Sequence, residues 1–193
     1  MNRYISDLHF SHKNILKFDK RPFLNTETME SKIVDNWNSK VDKSDTTYIL
    51  GDLCWGKEHD YIRILSQLNG NIVLIRGNHD LKQMSSTLKA KFADIKDYKE
   101  ITDNGKHVIL SHYPIFCYKG SYNPDIWMLH GHTHITKEQD YVEKWTKELV
   151  DEYCNVPDNC GHIMNVGCMM PYMNYTPQTL DVIINAWENK YKK

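Results

Sequence analysis

Arginine is scarce in this sequence, and its charges nearly cancel. Of the 24 basic residues only four are arginine, and the formal net charge at pH 7 is −1. Because no basic stripe runs through the chain, its charge does not indicate nucleic acid as a partner. No apolar run approaches the roughly 20 residues that span a membrane, and the first residues lack the apolar core of a signal peptide. These absences predict a soluble, cytoplasmic protein without a membrane partner.

Cysteine is too sparse and too irregular for a structural framework. The sequence has five cysteines, an odd number, with no Cys-x-x-Cys pair among them. This pattern favours reduced thiols over a disulfide scaffold or a cysteine-rich zinc site. The cysteines are Cys54, Cys117, Cys154, Cys160 and Cys168. A loop disulfide between Cys154 and Cys160 is the alternative, and we do not expect it.

The pattern of apolar residues predicts a single α/β domain over all 193 residues. Helical spacing predicts helices over 14–20, over 28–40 with Thr26 or Thr28 as N-cap, over 58–68 and 138–153, and from Pro177 to Trp187. Short apolar runs predict strands over 4–6, 46–50, 71–75, 98–102, 107–110, 126–129 and 163–166, with a hairpin turn at Asn104-Gly105. This order of elements predicts a layered domain with a mixed sheet.

Histidine is the residue type in excess, with ten in the chain. Half of the histidines stand in short blocks that follow predicted strands, some of them together with aspartate or asparagine. These strand ends read Asp7-Leu8-His9, Gly51-Asp52, Gly77-Asn78-His79-Asp80, Ser111-His112 and Gly131-His132-Thr133-His134. In open α/β sheets, functional sites form just beyond the carboxyl ends of the strands. We therefore expect these side chains to converge into one cluster.

The expected cluster has the chemistry of a metal site. Positions i and i+2 of an extended chain point to the same side, so Asp7 and His9 can share one ion, while His132 and His134 reach neighbouring ions. The donors are oxygen and nitrogen without thiolate, which suits Mn²⁺, Fe, Co or Zn better than Cu(I). Several imidazoles disfavour Mg²⁺ and Ca²⁺. Any one of these histidines alone would be interpreted as structural, whereas the whole set indicates a metal centre.

The five blocks, in this order, resemble the signature of the calcineurin-like metallophosphoesterase family. They extend from Asp7 to His134, about two-thirds of the chain, and the segment Phe10 to Phe23 is similar to small prokaryotic and phage members. The resemblance implies an α/β fold, a four-layer sandwich of two mixed β-sheets flanked by helices. It also implies a first metal ion on Asp7, His9 and His134, a second on Asn78, His112 and His132, and Asp52 as the bridge between them.

The resemblance further implies that His79 is the catalytic histidine, which protonates the leaving-group oxygen or contacts the phosphate. A carboxylate beside an imidazole keeps it protonated, and Asp80 is either that carboxylate or the N-cap of a helix beginning at Leu81. His12 either contacts the phosphate or lies at the surface. Arg21 either clamps the phosphate through its forked guanidinium or forms a structural salt bridge. The candidate substrate-binding residues are thus Asn78, His79, His12 and Arg21.

Two features outside the five blocks have open interpretations. The aromatic residues that follow the blocks either line the pocket or pack in the core; they are Phe10, Trp55, Tyr113 and Phe116. Residues 135–162 form an insertion relative to the shortest family members, and its helix either caps the pocket or forms a homodimer surface. The expected apolar face of that helix consists of Tyr141, Trp145, Leu149 and Val150.

The sequence as a whole predicts a metal-dependent phosphohydrolase. Two divalent ions, Mn²⁺ before Fe, Zn, Co or Ni, would hold a bridging hydroxide that attacks a small phosphodiester or phosphomonoester, nucleotides included. A nuclease is the alternative among enzymes, and the missing basic stripe disfavours it. A non-catalytic metal-binding scaffold protein of the same fold is the alternative outside enzymes. Such a protein is expected to have lost ligands or His79, and this chain retains them.

Overall fold

The structure, a computed structural model, describes residues 1–153 and 161–191. The predicted strands and helices occur in the predicted order, and the structure adds a short helix at Ser86–Lys89 and a short strand at Asp94–Lys96 that the apolar pattern did not predict. The elements are β1 (Asn2–Ile5), α1 (Ile15–Phe18), α2 (Thr26–Asn38), β2 (Thr46–Ile49), α3 (Glu58–Leu65), β3 (Asn71–Ile75), α4 (Ser86–Lys89), β4 (Asp94–Lys96), β5 (Tyr98–Asp103), β6 (Lys106–Ser111), β7 (Ile126–His130), α5 (Lys137–Tyr153), β8 (Ile163–Asn165) and α6 (Leu180–Tyr191).

Two four-stranded sheets form the frame of the molecule. The first has the order β1-β2-β3-β4, and its neighbouring strands are parallel. The second has the order β5-β6-β7-β8, in which β5 and β6 form the predicted antiparallel hairpin and the other neighbours are parallel. Ser6 bridges Gly167 in parallel and Tyr4 bridges Gln178 in antiparallel, so β1 contacts the chain that follows β8. The predicted α/β sandwich of two sheets flanked by helices is confirmed.

The main core lies between the two sheets. Ile49 and Leu74 from the first sheet and Val108 from the second belong to one buried cluster. The next residue of β6, Ile109, belongs to a second cluster that includes Val142 of α5, because successive strand side chains point to opposite faces. Burial of one such aliphatic side chain stabilises the fold by about 1.5–3 kcal/mol. The second sheet therefore packs on the first sheet with one face and on α5 with the other.

The start of α2 differs from the sequence prediction of a cap at Thr26 or Thr28. Asn25 is the N-cap, since its side-chain oxygen accepts a hydrogen bond from Thr28 N at 2.8 Å. In return, Asn25 N donates to Thr28 Oγ1 at 3.2 Å, which completes a capping box. A cap at either threonine is therefore wrong, because a side-chain amide one residue earlier satisfies the first free N–H groups of the helix.

The last helix starts later than predicted. It begins at Leu180 and not at Pro177. The backbone of Gln178 instead pairs with that of Tyr4, with N···O distances of 2.8 and 3.1 Å, so this segment extends along β1 before the helix starts. The predicted start is wrong because local periodicity does not reveal a backbone pairing between residues so far apart in the sequence.

The expected insertion contains α5, whose buried face differs from the predicted one. Tyr141 is 68% exposed, whereas Val142, Thr146 and Val150 are buried. These three follow the i, i+4, i+8 spacing of one helix face, so the placement of Tyr141 on the apolar face is wrong. Residues 154–160 of the expected insertion, with the cysteine pair Cys154–Cys160, lie outside the described residues.

Two further expectations concern thiols and membranes. Cys54, Cys117 and Cys168 are free cysteines, as the odd cysteine count predicts. Within residues 1–153 and 161–191, none of the helices has the length and apolar character needed to cross a bilayer.

Candidate metal centre

The carboxyl ends of β1, β2, β3 and β7 meet at one edge of the sheets, where the loops that follow them bond to one another. His9 N donates to Asp52 O at 2.9 Å, so the loops after β1 and β2 run side by side. His132 N donates to both carboxylate oxygens of Asp7 at 3.1 Å, which joins the loop after β7 to the first sheet. His79 N donates to Asp52 Oδ1 at 2.9 Å. The edge predicted from the strand ends is thus a single connected site.

The backbone of this edge has an unusual conformation. Several of the expected ligands have φ values between 48° and 68°, in the left-handed region that residues other than glycine seldom adopt. They are Asp7, His9, Asp52, His132 and His134. Such conformations cost free energy and persist where the surrounding structure fixes them, which is typical of functional sites.

Two glycines allow the loops to approach closely. At Gly51, where φ is 90°, a Cβ atom would lie 2.7 Å from the backbone of Gly77. At Gly131, a Cβ atom would lie 2.5 Å from Asp7 Oδ2 and 2.8 Å from Ser6 Cβ. A side chain at either position would therefore push apart the loops that carry the cluster.

A first group of ligand atoms comes from Asp7, His9, Asp52 and His134, which all lie within 4.8 Å of one another. His9 Nε2 is 3.2 Å from His134 Nε2 and 3.6 Å from Asp52 Oδ2. His134 Nε2 is 3.6 Å from Asp7 Oδ1. Two carboxylates and two imidazoles thus point their ligand atoms at one small volume, as expected for the first ion.

A second group of ligand atoms surrounds the Asn78 amide. Asn78 Oδ1 is 2.9 Å from His112 Nε2 and 3.0 Å from His132 Nδ1. His112 Nε2 is in turn 3.7 Å from Asp52 Oδ2. These are the residues expected for the second ion, together with the carboxylate expected to bridge the two.

Asp52 connects the two groups through a single oxygen. Its Oδ1 accepts the hydrogen bond from His79 N. The other oxygen, Oδ2, lies 3.6 Å from His9 Nε2 and 3.7 Å from His112 Nε2. Because the two imidazoles belong to different groups, Oδ2 stands where a bridging ligand is needed.

The partners of two imidazoles favour a nitrogen lone pair that faces the site. His112 Nδ1 is 2.8 Å from Leu50 O, a carbonyl that can only accept a hydrogen bond. His134 Nδ1 is 2.8 Å from Asp19 Oδ1. When Nδ1 carries the proton of the neutral ring, Nε2 is free to bind metal, as in carboxylate–histidine–metal arrangements.

The electrostatics of the site fit divalent cations. Burial raises the pKa of the Asp7 carboxyl above its usual value, although His134 and His112 oppose the shift. Burial also lowers the pKa of His9, and the nearby His134 and Arg21 lower it further. A divalent cation favours the charged carboxylate and the neutral imidazole. Buried oxygen and nitrogen donors without thiolate therefore suit the ions named from the sequence.

His79 lies at the exposed side of the cluster. Its ring centroid is 4.3 Å from that of Trp55 and 5.8 Å from that of His9. Asn78, beside it, is also exposed. A cavity of about 370 Å³ opens next to Asn78 and Tyr113. Of the two candidate substrate-binding residues, Asn78 therefore faces space that a small ester can enter, whereas His79 is exposed but does not line that cavity.

The structure corrects the role expected for Asp80. Its Oδ2 accepts hydrogen bonds from Asp52 N at 2.9 Å and Gly77 N at 2.8 Å. Its Oδ1 accepts from Leu53 N at 3.0 Å and from Tyr61 Oη at 3.1 Å. Among the described residues, no contact joins the Asp80 carboxylate to the His79 ring, and no helix begins at Leu81. Asp80 ties together the loops after β2 and β3, because its side chain turns towards their backbone amides.

The structure also corrects the expected phosphate clamp. Arg21 is buried, and its guanidinium donates to Asp19 Oδ2 at 2.8 and 2.9 Å. It donates as well to Asp7 O at 2.7 Å and to Leu8 O at 2.9 Å. Acceptors of the protein itself thus occupy the guanidinium. Of the two alternatives, Arg21 therefore forms the structural salt bridge and does not clamp the phosphate.

His12 and Trp55 form a ring pair beside the first group. His12 is buried and stacks on Trp55, with ring centroids 4.2 Å apart and planes 12° apart. The His12 and His9 centroids are 5.4 Å apart. His12 therefore lies next to the cluster and not in open solvent, and phosphate contact remains a proposal.

The other aromatic residues divide between pocket and core. Tyr113 is 49% exposed and packs on the His132 ring at 4.6 Å, so it lines the site. Phe10 is fully buried in the main core. Phe116 packs edge-on against Trp145 of α5 at 4.9 Å.

Sequence reasoning missed three polar residues that hold the expected ligands or the loops that carry them. Asp19 bonds to both His134 and Arg21. Gln139 of α5 accepts from Thr133 Oγ1 at 2.7 Å, and Asn165 Nδ2 donates to Gln139 Oε1 at 2.9 Å. Asp19 lies in the segment from Phe10 to Phe23 that resembles small family members, and this resemblance was the available signal for it. Gln139 and Asn165 carried no sequence signal of this role.

Comparisons with known proteins agree with this geometry. The family model "Calcineurin-like phosphoesterase" matches residues 4–186. The uncharacterized protein MJ1445 of Methanocaldococcus jannaschii is 35% identical over 186 residues, which is 95% of this chain and 89% of the relative. The Gene 66 protein of Mycobacterium phage L5 is 28% identical over 161 residues, or 68% and 76% of the two chains.

A solved structure is similar over nearly the whole chain. The crystal structure of AQ665 from Aquifex aeolicus, a protein of unknown function, has 27% identity and a TM-score of 0.61. The similarity covers 96% of this chain and 98% of that one. Since the family model spans most of the sequence and the motif residues gather at one sheet edge, the chain belongs to the calcineurin-like phosphoesterase family.

Proposed function

We propose that this protein hydrolyses a small phosphate ester with two divalent metal ions. The observation that carries the proposal is the position of Asp52 Oδ2, between His9 Nε2 at 3.6 Å and His112 Nε2 at 3.7 Å. One carboxylate oxygen shared by two groups of ligands is the arrangement that a pair of ions requires. Family membership supports phosphoesterase chemistry in general.

The proposed ligands follow from the two groups. Asp7, His9 and His134 would hold the first ion, Asn78, His112 and His132 would hold the second, and Asp52 would contact both. When bound, the ions supply Lewis acidity and lower the pKa of water for attack at phosphorus. Mn²⁺ is the proposed metal, with Fe, Zn, Co and Ni as alternatives, because the donors are oxygen and imidazole nitrogen.

His79 is the proposed proton donor. Its ring lies at the exposed face of the cluster, and its sequence neighbour Asn78 lines the cavity of about 370 Å³. An ester whose phosphate rests against the two ligand groups presents its leaving oxygen on this open side. His79 donates a proton to that oxygen, and the Asn78 side chain stays turned towards His112 and His132. General acid catalysis of this kind contributes about 10²- to 10⁴-fold in rate.

The test is turnover by Mn²⁺-loaded protein with para-nitrophenyl phosphate, its bis-ester and cyclic nucleotides. His79→Asn should keep the metal content of the wild type and lose about 100-fold or more in kcat for cyclic nucleotides, whose alkoxide leaving group needs the proton, and much less for the 4-nitrophenyl esters. Tyr122→Ala is the matched control, since Tyr122 is 63% exposed and precedes β7, at the opposite end from the cluster. Full metal loading without turnover of any of these esters would instead support the scaffold alternative.

A further inference from the structure

The imidazole of His79 is packed against an indole. The ring centroids of His79 and Trp55 are 4.3 Å apart, with planes 50° apart. The Asp80 carboxylate, next in sequence, points to backbone amides and Tyr61. Within the described residues, the His79 ring has ring contacts with Trp55 and His9 and no hydrogen bond. An indole therefore packs against the imidazole for which the sequence suggested a carboxylate partner.

Trp55 is itself held firmly although it is 47% exposed. Its backbone N donates to Phe10 O at 2.8 Å, and Phe10 bridges Cys54, so the loop is fixed to the loop after β1. The indole stacks on His12 at 4.2 Å with planes 12° apart. The His12 backbone N donates to His9 O at 3.2 Å. The Trp55 backbone is thus fixed by a hydrogen bond, and its indole is fixed by stacking on a buried ring.

We infer that Trp55 is a positioning residue for His79. A planar, anchored neighbour removes rotamers of the exposed imidazole that would turn it away from the leaving group. A proton donor acts only within hydrogen-bond reach of the oxygen it protonates, and a displacement of about 1 Å lowers the rate strongly. This inference rests on the proposed function, since it assigns the group that orients the proposed proton donor.

Two substrates with different leaving groups distinguish the positioning of the proton donor from a general effect on the site. The phenyl and 4-nitrophenyl esters of whichever phosphate class the wild type hydrolyses share the aryl ring, but phenolate is the more basic leaving group and needs the proton more. Trp55→Ala should lower kcat for the phenyl ester by about tenfold or more, lower it much less for the 4-nitrophenyl ester, and leave KM nearly unchanged. Trp55→Phe, which keeps a ring, should restore most of the loss.

A double-mutant cycle identifies the partner. In a His79→Asn background, Trp55→Ala should cause no further loss, because the group it orients is already gone. Tyr122→Ala serves again as the control with an exposed aromatic remote from the site. Trp55→Leu provides a second variant if the alanine protein folds poorly, and it should show the same dependence on leaving group. Metal content should equal that of the wild type throughout.

The contrary results are distinct. Equal loss with both esters, or a further loss in the His79→Asn background, would show that the indole acts on something other than His79. A rise in KM for both aryl esters with kcat unchanged would make Trp55 a stacking surface for substrate and overturn the positioning role. Absence of turnover by the wild type with the aryl esters and with cyclic nucleotides would reject the proposed function itself, and the inference with it.

Discussion

The Nε2 atoms of His9 and His134 lie 3.2 Å apart, and Asp19 Oδ1 is 2.8 Å from the other nitrogen of His134. Although burial opposes the shift, His134 and Arg21 lower the pKa of the Asp19 carboxyl. The charged carboxylate favours a proton on His134 Nδ1, so the lone pair of Nε2 points towards His9 in the neutral ring. Two imidazole nitrogens so close together with a carboxylate beside them form the ligand side of a candidate cation site.

Replacement of Asp19 should weaken metal binding. Asp19→Asn removes the charge that orients His134, and the loss of such a partner lowers metal affinity by about 10- to 100-fold. The measurement is calorimetric titration of the metal-free protein with Mn²⁺. Asp35→Asn, at an exposed position of α2, is the control. Identical binding curves for both variants would contradict the assigned role of Asp19.

Asp80→Asn should reduce stability without moving the pH profile of turnover. The carboxylate accepts four hydrogen bonds in a buried setting, and an amide offers one acceptor oxygen in place of two. We expect the free energy of unfolding to fall by about 1–3 kcal/mol, measured by urea denaturation. A shifted pH optimum at unchanged stability would instead return Asp80 to the role of partner for His79.

Arg21→Lys should also act on stability and not on substrate binding. The lysine keeps the charge but loses the fork that bonds Asp19, Asp7 O and Leu8 O. We expect the free energy of unfolding to fall by about 2–3 kcal/mol, with KM for the ester unchanged. A large rise in KM at wild-type stability would support the phosphate clamp.

Asp45 should contribute a pH-dependent part of the stability. The N-terminal ammonium of Met1 and the guanidinium of Arg3 lower the pKa of Asp45 to about 2. Since this lies below the unfolded value of about 3.9, the charged carboxylate stabilises the fold above about pH 4, and that contribution disappears as the pH falls towards 2. Asp45→Asn should therefore be less stable than the wild type at pH 7, with a difference that shrinks between pH 4 and pH 2. Urea denaturation of chelator-treated protein measures this, and a constant difference across the range would contradict it.

The convergence of the expected ligands was predictable from the sequence because each lies within four residues of the end of a strand. Parallel strands bring their carboxyl ends to one edge, so a residue such as Asp52 needs no long-range information to be placed there. The same reasoning gave the order of the predicted elements along the chain and the hairpin at Asn104-Gly105, but it missed β4. The predicted helix start at Pro177 was wrong, because Gln178 pairs with the distant Tyr4 and the helix begins only at Leu180.

The supporting residues were less predictable, because their roles depend on side-chain direction. Asp80 is adjacent to His79 in the sequence, yet its carboxylate turns to the amides of Asp52 and Gly77. Arg21 was expected either to contact the phosphate or to form a salt bridge. It is buried beneath the loop that follows β1, so the salt bridge is the correct alternative. Gln139 of α5 bonds to Thr133 in the loop that follows β7, and this contact depends on how the expected insertion packs.

Anomalous diffraction from crystals of the Mn²⁺-loaded protein tests the central claim most directly. We expect two manganese peaks per chain, one among Asp7, His9 and His134, the other among Asn78, His112 and His132, with an Asp52 oxygen in contact with both. In Asp52→Asn crystals grown under the same conditions, occupancy of at least one peak should fall. A single peak in the wild type, or ions that do not touch Asp52, would contradict the two-metal account.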